Sequence, residues 1–240
     1  MDKKLSRLTK IIYGSGDLGF SLTGTIIGAY FLFFLIEVVG IKPALAGIAI
    51  LIGRTWDYIN DPLIGYLSDQ KRTRWGRRRP FLLFGALPFG LAFMLMWYRP
   101  PFDSQIALAV YYALAYLLYD AAATFVYMPY FSLTPELTDD YNERTSLTSY
   151  RMFYSILGSL VAFTVPLMIV GTFNPANAPR VLMMGAIFGI GSVLPLPLVF
   201  FNTREQKDFT TLEKPKLRES LKAAFKNRPF VSGVVIYLLT

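Results

Sequence analysis

The chain has 240 residues, 54% of them hydrophobic and 17% charged, with a net charge of +8 and a mean hydropathy of +0.42. A soluble domain of this length carries far more charge; here the charges are grouped and leave long apolar runs between them, the signature of a membrane protein. With no Cys and no His, disulfides, thiolate chemistry and His-ligated metal are excluded.

Six membrane spans are predicted near 11–39, 43–69, 80–98, 104–134, 145–171 and 181–201, with a seventh starting at Pro229. The joints GIKP, RPPFDSQ and TFNPANAP are short and rich in Gly, Pro or Asn, as turns are. The first apolar run is too long for a cleavable signal peptide and contains Asp17 and Glu37. Lys and Arg divide nineteen to three between the two sides of the membrane. The richer side holds the N-terminus, the 71–79 loop and residues 202–228, which predicts that these are cytoplasmic. The basic charge is thus mainly a topology signal, and no nucleic-acid partner is expected: KRTRWGRRRP is too short to offer a stacking surface.

The first span carries Gly14, Asp17, Ser21, Thr25 and Gly28 at steps of three and four, a small and polar stripe on one helix face. Close helix packing explains the small residues; Asp17 needs another reason. The second span carries Arg54, Asp57, Asn60 and Asp61. Asp57 lies roughly 21 Å along the helix from Pro43, near the middle of a ~30 Å hydrocarbon core. An Asp at that depth costs about 2.5–3.5 kcal/mol. An Arg54–Asp57 salt bridge is the plain structural reading, but one Arg cannot neutralise two carboxylates, and Asn60 adds a further oxygen. The set fits a cation site better.

The fourth span repeats the stripe with Tyr116, Asp120, Thr124, Tyr127 and Phe131, and Pro129 is expected to kink it. The fifth carries Arg151, Ser155 and Gly158 on one face. Aromatic residues in such stripes serve packing as readily as ligand contact. Asp17, Asp57, Asp61, Asp120 and Arg151 together imply a polar cavity, since ionisable groups within spans face interiors or water. In the sixth span Gly185, Gly189, Pro195 and Pro197 read as packing and bending. Three segments are expected: a transmembrane domain at 1–201, a cytoplasmic linker at 202–228 whose KLRESLKAAFK forms an amphipathic surface helix, and the truncated start of a C-terminal domain at 229–240. The twelve residues from Pro229 cannot span, so the chain is expected to be either a fragment or an abruptly ended half.

RTWDYINDPLIGYLSDQKRTRWGRRRPF strongly resembles the glycoside–pentoside–hexuronide:cation symporters, the melibiose-carrier branch of the major facilitator superfamily. YGSGDLG at 13–19 looks like that family's helix-one opening, and GYLSDQ followed by GRRR resembles the superfamily's loop between helices two and three. The resemblance covers the whole chain and implies an all-α N-terminal six-helix bundle, a 3+3 inverted repeat, plus the start of helix seven. It implies Asp57 and Asp61 as cation ligands (for Na+ if the coupling is to sodium), with Asn60 and Thr124 beside them, and Arg151 on the solute's hydroxyls. The chain departs from melibiose carriers at Ser21 and Tyr127, where they carry Asp, and at Phe131, where they carry a sugar-stacking Trp. Asp120 is placed like the helix-four Asp of plant sucrose/proton symporters.

The function implied is cation-coupled symport, with Na+ or H+, of a glycoside or related polar solute by alternating access, in a multi-pass protein of the cell's inner (plasma) membrane. Asp17, Ser21, Asp120, Tyr127, Phe131 and Arg151 are the expected solute contacts. Solute, bilayer and a missing C-terminal six-helix half are the expected partners; no cofactor and no enzymatic activity are expected. Three other readings stand beside it. One is a symporter of a lysolipid-like solute, since a cousin in the superfamily carries lysolipids with sodium. Another is a membrane prenyltransferase holding Mg²⁺–pyrophosphate on NDPLIGYLSD and ELTDD, for which Asp57 and Asp120 lie too deep. The third is a membrane receptor that does not transport.

Overall fold

The computed structural model describes residues 4–205, and for residues 57–59 the backbone alone. The expectations for 206–228 and 229–240, including the amphipathic helix, lie outside the described residues. Within them the chain is almost wholly helical: α1 (Arg7–Phe33, extended by a π-helical turn Phe34–Val39), α2 (Pro43–Thr55), α3 (Asp57–Gln70), α4 (Arg79–Met96), α5 (Gln105–Leu137), α6 (Tyr141–Val170), α7 (Ala178–Val193) and α8 (Pro195–Asn202). Ser6, Ser104 and Asp140 cap α1, α5 and α6, each accepting a bond from a backbone N–H in the first turn. Gly40, at φ +84°, ends the first span in the left-handed conformation. The Gln105 amide then staples this joint to α5, donating to Gly40 O and accepting from Lys42 N, both at 2.9 Å.

Among the described residues, five helical stretches are long and apolar enough to cross a membrane: 7–39, 79–96, 105–137, 141–170 and 175–202. The predicted second span occupies 43–70 as two shorter helices that meet at Trp56, so each falls below spanning length by itself. This corrects the expectation of one continuous helix. Trp56 N bonds back to Gly53 O at 3.3 Å, and Asn60 N donates to Trp56 O at 2.9 Å. α7 gives way to α8 just before Pro195, as expected, and α5 continues through Pro129 and Pro135 without a break.

The spans pair in a pattern that repeats. Span one (α1) packs on span five (α6) as span four (α5) packs on span two (α2 and α3). Span three (α4) packs on span four as span six (α7 and α8) packs on span one, and three and six pack on each other. Exchanging the first three spans with the last three maps this set onto itself, which is what a 3+3 repeat requires. Small residues set the approach distances. A Cβ at Gly14 would strike the Tyr150 backbone, one at Gly90 would strike Val193 and Gly189, and one at Gly185 would strike Trp97. The aromatic core lies between spans one, three and four, where Phe31, Phe34, Phe93, Trp97 and Tyr112 are buried in mutual ring contact.

Candidate functional site

Two polar clusters lie along α5, one near Thr124 and the other near Thr134. Ten residues of α-helix separate them by about 15 Å along the axis.

The first joins span two to span four. Gly53 lets α2 close onto the ring of Tyr116, which brings the start of α3 against the middle of α5. There Thr124 Oγ1 donates to Asp61 Oδ1 at 3.2 Å, and Asn60 Nδ2 reaches the carbonyl of Asp120 at 3.5 Å. Asn60, Asp120 and Thr124 are buried. Asp57 is the first residue of α3, one turn ahead of Asp61 on the same helix face; its side chain lies outside the described residues. All the donors are oxygens of carboxylate, amide, hydroxyl and carbonyl groups, which suits a hard monovalent cation or a proton and gives a soft metal nothing to hold.

The second cluster joins spans one, four and five. Arg151 Nε donates to Asp17 Oδ2 at 3.2 Å, and Arg151 Nη1 reaches Thr134 Oγ1 at 3.5 Å. The guanidinium carbon stands 3.7 Å from the centroid of the Phe131 ring and 5.2 Å from that of Tyr130. Below them Tyr13 and Tyr130 clasp each other. Tyr13 OH donates to Tyr130 O at 3.0 Å, Tyr130 OH donates to Tyr13 O at 2.6 Å, and Thr134 Oγ1 shares a 2.6 Å bond with Tyr13.

The expected solute residues thus divide. Asp17, Arg151 and Phe131 are together, but Phe131 presents its face to Arg151. Asp120 joins the first cluster, through its backbone carbonyl. Tyr127 sits between the two clusters, 39% exposed, its ring edge-on to Phe20 and Phe131. Ser21 donates to Leu18 O and stands where a Cβ on Gly158 would be, at the crossing of α1 and α6. Tyr13, Tyr130 and Thr134 were not anticipated. Thr134 continues the 124, 127, 131 stripe by one step, and Tyr13 lies one turn below Asp17, so following each stripe to its end would have found both.

A third cluster gathers on the basic face. Arg77 and Arg78 both pair with the buried carboxylate of Glu136, and Arg78 also meets Asp69 at 2.9 Å. Glu136 opens the acidic ELTDD string, so this carboxylate is already neutralised by two arginines. A groove of about 480 Å³ lies elsewhere, on the outer side of α4, lined by residues such as Leu91, Leu95, Leu118 and Leu182. Its wall is apolar, and it contains none of the clustered polar residues.

Comparison with known proteins places the chain in a family. An uncharacterized symporter of Synechocystis sp. is 36% identical over 242 residues, covering 99% of this chain and 44% of that protein. A putative glycoside/cation symporter of Escherichia coli is 33% identical over 226 residues, covering 93% of this chain and 49% of that protein. The sodium-dependent lysophosphatidylcholine symporter 1 of Mus musculus is 33% identical over 181 residues, covering 74% of this chain and 33% of that protein. The chain therefore spans about half the length, or less, of these curated relatives. The MFS/sugar transport protein family model matches residues 12–240. With its helices paired as a 3+3 repeat and Asp17, Asp120 and Arg151 buried between spans, this multi-pass membrane chain belongs to the MFS/sugar transport protein family.

Proposed function

We propose that this chain is the N-terminal half of a secondary transporter that couples Na+ or H+ entry to uptake of a glycoside or related polar solute, and that it is not an enzyme. The observation that carries the reading is that α5 is lined by two clusters, an oxygen-rich one where Thr124 meets Asp61 of α3 and, about three turns on, one where Thr134 and Phe131 meet the buried Arg151 guanidinium of α6. Asp57, Asn60, Asp61 and Thr124 form the cation half. Arg151, held by Asp17, forms the solute half, with Tyr127 edge-on to the Phe131 ring that faces the guanidinium. Cation entry neutralises the carboxylates, the cavity then accepts solute, and two halves of the protein rock about the site.

Support for a second half comes from span five. Only 22% of the most apolar stretch of α6 is buried, against 56% for the first span, so α6 presents most of its apolar surface to something beyond this bundle. Residues 1–201 form the domain, 202–228 a cytoplasmic linker and 229–240 the start of the other half. The N-terminus and the basic face lie in the cytoplasm of a cell whose inner membrane holds the protein. The names of the relatives favour a glycoside as solute, and sodium as cation; a lysolipid-like solute is the second reading, favoured by the mouse relative alone among the three.

The test is uptake by the full-length protein in vesicles, using a panel of glycosides and one lysophospholipid, with imposed sodium or proton gradients. Gradient-driven accumulation of a glycoside supports the proposal. Accumulation of the lysophospholipid alone selects the second reading, and uptake indifferent to both gradients overturns the coupling.

A further inference from the structure

The loop that joins α3 to α4 is folded around a carboxylate. Gly76 takes φ +108°, a conformation that L side chains rarely adopt. The turn it makes is closed by Gly76 N on Thr73 O at 3.1 Å and Thr73 Oγ1 on Gly76 O at 2.7 Å. The backbone N–H groups of Arg77, Arg78 and Arg79 then all donate to the carboxylate of Glu205, at 2.5–3.0 Å. Arg79 adds bonds to the carbonyls of Phe200 and Trp75. Loop and end of α8 are thereby held as one piece.

This arrangement fixes what the loop displays. Trp75 is set against Phe84 and Phe200, with ring centroids 6.1 and 6.0 Å apart, yet remains 38% exposed. Arg74 lies over the Trp75 indole, its guanidinium carbon 4.7 Å from the ring centroid. Arg204 stands beside the same turn, since its neighbour Glu205 is bound there, and it is exposed. Just inside, Phe84 and Phe201 are 60% and 69% exposed. Spans three and six carry no Asp, Glu, Lys or Arg between Arg79 and Arg99 or between Arg180 and Arg204. The ionisable groups of the site lie on spans one, two, four and five, so three and six form the periphery and their outer faces meet the bilayer. An exposed aromatic platform at the membrane edge, with Arg74 over it and exposed Arg204 next to the Glu205 clasp, has the chemistry of an anionic lipid site.

We propose that the seam between α4 and α8 binds one anionic phospholipid, its phosphate at Arg74 and Arg204 and an acyl chain along Phe84 and Phe201. Trp75 sits at the depth of the headgroup–chain boundary, and the Glu205 clasp keeps the site formed. The proposal is independent of solute and coupling cation.

Trp75 reports on occupancy directly. The full-length protein is reconstituted in phosphatidylcholine vesicles containing increasing fractions of brominated phosphatidylglycerol or brominated phosphatidylcholine. The Trp75 signal is the difference in fluorescence quenching between the protein and its Trp75→Phe variant. One interfacial arginine is worth about a fivefold preference, so phosphatidylglycerol is expected to be favoured about fivefold or more. The preference is expected to vanish in Arg74→Gln/Arg204→Gln and to persist in Lys4→Gln/Arg7→Gln, which removes equal charge elsewhere on the basic face. Equal quenching by the two lipids overturns the proposal, as does a preference that survives in the Arg74/Arg204 variant. A preference lost equally in the Lys4/Arg7 variant assigns the effect to overall surface charge and overturns the local site. Displacement of phosphatidylglycerol by inorganic phosphate makes it a site for soluble anions and overturns the lipid assignment.

Discussion

Arg151 Nε stands 3.2 Å from Asp17 Oδ2, an ion pair between spans five and one with both side chains buried. The Phe131 ring closes one face of the guanidinium and Thr134 meets its edge. Arg151 is therefore held in one orientation before any solute arrives, and a charged group so deep in the bilayer is tolerated because it is paired.

Asp17→Asn leaves that guanidinium buried and uncompensated. Loss of one partner of a buried pair costs about 3–5 kcal/mol, so the full-length variant is expected to unfold at a markedly lower temperature in a detergent melt. A melting temperature equal to that of the parent protein would show that the pair contributes nothing to the fold.

Arg151→Lys tests the solute role. The planar guanidinium fork can bridge neighbouring hydroxyls, whereas an ammonium is a compact point charge. Removing one charged hydrogen-bond partner typically costs about 2–5 kcal/mol, so a loss of roughly 30-fold or more in solute affinity is expected. Equilibrium binding of the transported solute provides the measurement, and unchanged affinity would move the solute site away from span five.

Asp57→Asn and Asp61→Asn each remove a protonatable, ligating carboxylate while keeping the helix shape. In the full-length protein both are expected to insert normally and to lose gradient-driven accumulation. Accumulation at the parent level in either variant, under an imposed cation gradient, would remove that residue from the cation site.

Gly90→Leu probes the packing of the two peripheral spans. A side chain there meets Val193 and the Gly189 carbonyl across the α4–α7 contact. Overpacking at such a crossing costs about 1–3 kcal/mol, so the thermal unfolding midpoint should fall while Gly191→Leu, with open space at its Cβ, has little effect.

Residues 1–240 expressed alone are expected to insert with six spans but not to transport, because alternating access needs one half to move against another. Gradient-driven uptake of the full-length protein's solute by this segment would make it a homodimeric half-transporter.

Much of this protein is legible in one dimension. Membrane insertion, six spans and the division of basic residues follow from the chain itself, because a bilayer demands long apolar helices and a charge asymmetry about them. The inward stripes were equally readable: steps of three and four place Asp17 with Ser21, and Thr124 with Phe131, on single helix faces. What no helical period contains is which stripe meets which. Thr124 reaches Asp61 across sixty-three residues and Arg151 reaches Asp17 across 134, contacts decided by glycines such as Gly14 and Gly53 that let particular helices close together. The turn from partner to anchor was also hidden. Phe131 reads as a ligand-stacking aromatic until Arg151 is seen lying on it, and Glu136 reads as part of an acidic motif until two arginines are found on its carboxylate. Charge and hydropathy determine where a side chain can be buried; only the three-dimensional packing decides which opposite charge makes that burial tolerable.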